Sequence, residues 1–142
     1  VNQEHKIFQL RLRVEYGDET DIFVVEKHLP EENRWHVIGI NEKTPGLLVF
    51  LYSILTCQHL FLRNPAQKAG LELLHTTGEL RARFNKKTFR FETIQTSFQV
   101  KSRTEPSCQL ADEIARRMEN CPVSNNLDPA IDKALSLSFT SA

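Results

Sequence analysis

The chain has little cysteine, little glycine and no surplus of either charge, and each shortage removes a class of protein. Three cysteines (Cys57, Cys108, Cys121) in 142 residues are too few for the disulfide framework of a small secreted fold. No Cys-x-x-Cys or His-x-x-x-His spacing occurs. The five histidines (His5, His28, His36, His59, His75) make no metal-type cluster with the cysteines, so no metal site is expected. The five glycines form neither Gly-x-Gly-x-x-Gly nor a P-loop, which argues against nucleotide enzymes of those types, and no cofactor is expected. Lys plus Arg and Asp plus Glu both number 18, giving a formal net charge of zero. The basic footprint of a nucleic-acid binder is therefore missing. Arg81, Arg83, Lys86, Lys87 and Arg90 alternate with apolar or small residues and read as the wet face of a hairpin.

Residues 1–16 carry charges throughout and show no apolar leader core, so a cytoplasmic setting is expected. In a reducing compartment a disulfide is transient and catalytic more often than structural. The one long apolar run, residues 46–62, is interrupted by Ser53, Gln58 and His59. It is shorter than the ~20 residues a bilayer requires. It is read as a core helix, with no membrane partner.

What is present fits a single globular domain spanning 1–142, at 40% hydrophobic and 25% charged residues. Residues 7–16 alternate, with Leu10, Leu12, Val14 and Tyr16 on one side and Arg11, Arg13 and Glu15 on the other, which predicts a half-buried strand. Tyr16-Gly17-Asp18-Glu19 supplies a turn. Residues 21–28 and 35–40 read as the next strands. Thr44-Pro45 predicts a helix start with a capping hydroxyl and a first-turn proline. The helix that follows is apolar on nearly every side, and such a helix must be covered on every side. One small sheet covers one face, so a homodimer is expected to cover the rest. Asn64-Pro65 should interrupt the helix and Gly70 should cap it. Residues 71–84 and 88–101 read as a hairpin around Asn85-Lys86-Lys87. Residues 108–120 read as a helix with Leu110, Ile114 and Met118 on one stripe, Asp128-Pro129 as a short helical turn, and 134–140 as a closing strand. Strands and helices in separate blocks indicate the α+β class.

The candidate chemistry lies with the cysteines. Cys57 sits within the apolar helix, several turns from its start, where apolar surroundings raise a thiol pKa. An arginine brought from elsewhere is the natural activating charge, because it stays ionised even when buried. Cys121 falls on the inward stripe three residues after Met118, and Pro122 pushes its backbone out of the helical region. Cys108, at a helix start in a polar stretch, reads as incidental.

Two blocks resemble the OsmC/Ohr family (osmotically inducible protein C and organic hydroperoxide resistance protein). One is Thr44-Pro45 leading through the apolar helix to Cys57. The other is Glu119-Asn120-Cys121-Pro122-Val123-Ser124-Asn125-Asn126-Leu127. The resemblance implies antiparallel sheets around a long central helix in an intertwined homodimer. It implies reduction of organic hydroperoxides or hydrogen peroxide, with Cys57 in the peroxidatic place and Cys121 in the resolving place. A dithiol, often on a lipoylated protein, is the implied reductant. The family glutamate after the helix proline is replaced here by Gly46-Leu47, and its Gly-Gly-Arg turn by Tyr16-Gly17-Asp18-Glu19. Arg11, Arg13 and Arg34 are the arginines available to take that place. The alternative is a non-enzymatic dimer of the same fold that binds a small apolar ligand.

Overall fold

The computed structural model describes residues 4–142. Six strands form one sheet: β1 (His5–Glu15), β2 (Ile22–Leu29), β3 (Arg34–Val37), β4 (Leu73–Asn85), β5 (Arg90–Ser102) and β6 (Asp132–Ser141). Their spatial order is β3-β2-β1-β4-β5-β6. Three helices accompany them: α1 (Gly46–Lys68), α2 (Cys108–Glu119) and α3 (Pro122–Asn125). The mixed α+β architecture agrees with the sequence pattern, with two corrections. There is one sheet, and its last pair is parallel: β6 runs alongside β5, from Thr93 opposite Asp132 to Ser102 opposite Ser141. A parallel neighbour needs a long crossover, and α2 and α3 provide it.

One face of the sheet is apolar because strand side chains alternate. Leu10, Leu12, Val14, Val25, Leu80, Ala82, Ile94, Phe98 and Val100 are all buried there. Each aliphatic or aromatic side chain of this kind contributes about 1.5–3 kcal/mol when fully removed from water. At one end Phe8, Phe84 and Phe91 pack edge-on, with centroids 5.1–6.3 Å apart, and Phe50 of α1 stacks on Phe91 at 5.6 Å. The β4–β5 turn is closed by Asn85, whose Oδ1 accepts from the Lys87 and Thr88 amides at 2.9 and 3.2 Å, the local bond that makes Asn a turn residue.

Helix α1 lies on this apolar face. Its composition would also suit a bilayer span, but Leu48, Leu51, Ile54, Leu55, Leu62 and Ala66 are buried within the fold. Its far side is not covered by this chain: Val49, Phe50 and Leu60 are 36%, 36% and 47% exposed. Burial on every side is thus not met by a single subunit.

The ends of α1 differ from expectation. Thr44 does not cap it. The Thr44 hydroxyl donates to the Gly39 carbonyl (2.7 Å) and accepts from the Asn41 amide (3.0 Å), closing the preceding turn instead. Pro45 is the N-cap residue, and its carbonyl accepts from Leu48 and Val49. Pro65 lies inside the helix without ending it. Near a C-terminus a proline forfeits one backbone bond, and the final turn closes through the Ala69 amide on the Pro65 carbonyl at 3.0 Å. Gly70, at φ +85°, follows the helix as its left-handed cap residue. The third strand stops at Val37 rather than Ile40. The short helix expected at Asp128-Pro129 is instead α3, started by Pro122.

A single glycine lets the middle of the sheet close. Gly78 pairs with Phe98, and a Cβ at Gly78 would lie 2.6 Å from the Phe98 ring. We expect Gly78→Ala to lower the urea-unfolding free energy by about 1–3 kcal/mol, as overpacked cores do. Adding Phe98→Leu should recover part of the loss. Equal stability of Gly78→Ala and wild type would refute this reading of the contact.

Candidate functional site

Cys57 is half-buried and Cys121 is fully buried. The fold brings them together by stacking α3 on α1. Cys121 is the N-cap of α3, held in extended backbone (φ −62°, ψ 156°), as a residue before proline must be. The Cys57 thiol has two close partners, the Val123 backbone amide and the Cys121 thiol. Burial pushes the Cys57 pKa up. The Val123 amide pulls it down by donating to the sulfur, and the hydrogen bond and charge of Cys121 push it up again, leaving it above the ordinary thiol value. The Cys121 thiol also donates to the Ser124 hydroxyl at 3.3 Å. Gln58, one residue beyond Cys57, reaches the same hydroxyl with Nε2 at 3.4 Å. Cys108 is exposed at the start of α2, behind its Ser107 cap, and takes no part in this cluster.

None of the three arginines considered from sequence is aimed at Cys57. Arg11 and Arg13 project from the opposite face of β1 from Leu10, Leu12 and Val14, and both bind Glu26, at 3.0 and 2.9 Å. Burial of Glu26 raises its pKa, but the hydrogen bonds from Arg13 and Arg11 outweigh this and hold the carboxyl below its usual range. Arg34 bonds Glu32 at 2.7 Å. Among the described residues, the groups that shift Cys57 include no cation.

On the other side of α1 lies a polar cluster that the sequence did not announce. Tyr16 Oη is 2.8 Å from His59 Nε2 and 2.7 Å from Thr76 Oγ1. Nearby, Arg63 Nε donates to Asp21 Oδ2 at 2.8 Å. Burial raises the Tyr16 pKa to about 12. Burial, with help from the Arg63 charge, lowers that of His59 to about 4. Both groups are thus neutral near pH 7, and they pin α1 to β4 and to the residue that follows β1. The available signal was His59 itself, a polar residue inside an apolar run, but its partner Tyr16 lies 43 residues away in sequence, and Thr76 lies 60 residues from Tyr16.

Residues 41–136 match the OsmC-like protein family. The chain belongs to the OsmC-like family. The match spans α1 and α3 and so includes both cysteines of the site. OsmC-like structures also share the fold. A hypothetical protein from Aquifex aeolicus is 13% identical with a TM-score of 0.63, over 92% of this chain and 96% of that one. The OsmC-like protein from Mycoplasma pneumoniae is 9% identical with a TM-score of 0.58, over 99% of each. An OsmC-like hydroperoxide resistance protein from Jannaschia sp. CCS1 is 10% identical with a TM-score of 0.58, over 84% of this chain and 85% of that one. No curated protein matches the chain. Within the OsmC-like family this chain is divergent in sequence while keeping the architecture.

The histidine makes a pH prediction. A His whose folded pKa is near 4 rather than 6.5 binds fewer protons folded than unfolded between those values. Its contribution is present above the unfolded pKa and is lost as pH falls through the folded one. Unfolding free energy should drop by about 3 kcal/mol between pH 7 and pH 4 from this group. His59→Gln should be less stable at pH 7 and show a shallower acid slope in urea titrations. An unchanged slope would contradict the assignment.

Proposed function

We propose that the chain is a thiol-dependent peroxidase that reduces organic hydroperoxides or hydrogen peroxide through Cys57 and Cys121. The observation that carries this reading is the direct contact of the two thiols, from distant parts of the chain, with a backbone amide on Cys57. The Cys57 thiolate would attack the O–O bond of ROOH. The sulfur becomes a sulfenic acid, and the leaving oxygen takes a proton and departs as ROH. The Cys121 thiolate would then attack that sulfur, forming the disulfide and releasing water. A dithiol, such as a lipoyl group, restores both thiols by exchange. The setting would be the cytoplasm.

Among the described residues no cation activates Cys57. This favours the second reading, a non-enzymatic OsmC-like dimer that binds a small apolar ligand. The two readings separate in one assay. With cumene hydroperoxide and dithiothreitol, a peroxidase should lose turnover by at least about a hundredfold in Cys57→Ser. Cys121→Ser should still react once but form no intramolecular disulfide. Equal consumption by wild type and Cys57→Ser would leave the binding reading standing.

Either reading places a second copy on the exposed side of α1, around Val49, Phe50 and Leu60. Sedimentation should therefore give twice the 16.4 kDa chain mass, and Leu60→Glu should weaken the association. A wild-type species of one chain mass would remove the dimer from both readings.

A further inference from the structure

Cys121 is the middle of a hydrogen-bonded row. Its hydrogen bond with Cys57 raises the Cys57 pKa, and a hydrogen bond that raises a thiol's pKa is one that the thiol donates. Cys57 is therefore the donor and the Cys121 sulfur the acceptor. Cys121 in turn donates its own proton to the Ser124 hydroxyl, 3.3 Å away.

Ser124 is held by three elements. It lies three residues after Cys121, within α3. Gln58 of α1 donates Nε2 to its hydroxyl at 3.4 Å. Lys133 of β6 donates Nζ to its carbonyl at 3.2 Å. Ser124 is 3% exposed, so water competes little for these bonds. A hydroxyl oxygen has two acceptor sites and one donor, and Gln58 and Cys121 fill both acceptor sites. Ser124 is absent from the groups that shift Cys57. Its hydrogen bonds thus act on the second thiol and not on the first.

We propose that Ser124, anchored by Gln58, is a positioning residue for disulfide formation: it takes the Cys121 S–H and leaves the lone pair that accepts from Cys57 aimed at the Cys57 sulfur. This role rests on the reading of Cys121 as the resolving thiol. Once Cys57 is a sulfenic acid its thiol proton is gone, and the same lone pair is the nucleophile. The S–S bond forms, the S–O bond breaks, and the Cys121 proton joins the departing hydroxide as water. As that proton leaves, the Ser124 hydroxyl turns from acceptor to donor and supports the charge on sulfur.

The test separates the two thiols without peroxide. In a Cys108→Ser background the reduced chain is mixed with dithiobis-nitrobenzoate, an aromatic disulfide. Cys57 attacks it and releases one coloured thiolate. Cys121 then attacks the Cys57 sulfur and releases the second, leaving the Cys57–Cys121 disulfide. Ser124→Ala should slow the second release at least about tenfold, with the first within about twofold of wild type. Ser124→Thr keeps the hydroxyl and should recover most of the second rate. Gln58→Met, which unties the hydroxyl but leaves it in place, should slow the second release about threefold or more, and it decides the matter if Ser124→Ala does not fold. The proposal is overturned if wild type shows no second release, or if the variants resolve at the wild-type rate. It is equally overturned if both releases slow alike, as a merely structural residue would cause, or if Ser124→Thr is as slow as Ser124→Ala. A wild-type chain that gives both releases but consumes no cumene hydroperoxide loses the peroxidase reading and keeps the role of Ser124.

Discussion

Everything in this fold hangs on the burial of α1 against the apolar face of the sheet. The helix is held there by aliphatic contacts along its length and by the His59–Tyr16–Thr76 bonds at its middle. Successive helical residues turn by about 100°, so three neighbours serve three purposes. Cys57 meets α3, Gln58 reaches Ser124, and His59 faces the sheet. A helix free to rotate by even part of a turn would separate these tasks. The aromatic group of Phe8, Phe50, Phe84 and Phe91 fixes its other end against the same motion.

The chemistry of the cysteine pair is a balance in which no single influence dominates. Withdrawal from water and the neighbouring thiol both disfavour a Cys57 thiolate, and one amide favours it. The arginines that could reverse this balance are spent on carboxylates, two of them on Glu26 at the opposite surface of the sheet. Strand alternation makes that separation permanent, because Arg11 and Arg13 cannot change faces without taking Leu10, Leu12 and Val14 out of the core.

Much of this was readable from the residues. The alternation in β1, the apolar run of α1 and the stripe of α2 are local patterns, and Cys121 fell on the inward side as its spacing from Met118 required. The residues around Cys121-Pro122 carry the resemblance to the OsmC-like family, to which the chain belongs. What escaped was non-local or directional. Alternation says that residues 134–140 form a strand but not which way it runs, so the parallel β6 was missed. Thr44 was misassigned because its nearer partner is the turn before it, and Pro65 because a late proline breaks only one bond. The pairing of Arg11 and Arg13 with Glu26 depends on the β1–β2 register, which no single segment carries.

The crossover that the parallel β6 requires also bears on when the thiol pair can form. Cys57 lies in α1, whereas Cys121 lies in the crossover between β5 and β6, whose helices pack on α1. Long-range parallel pairing is slow to form, because the intervening chain must first be ordered. A nascent molecule therefore holds Cys57 and Cys121 as separate thiols until that crossover has docked on α1, and an oxidant met at that stage can join either of them to Cys108 instead.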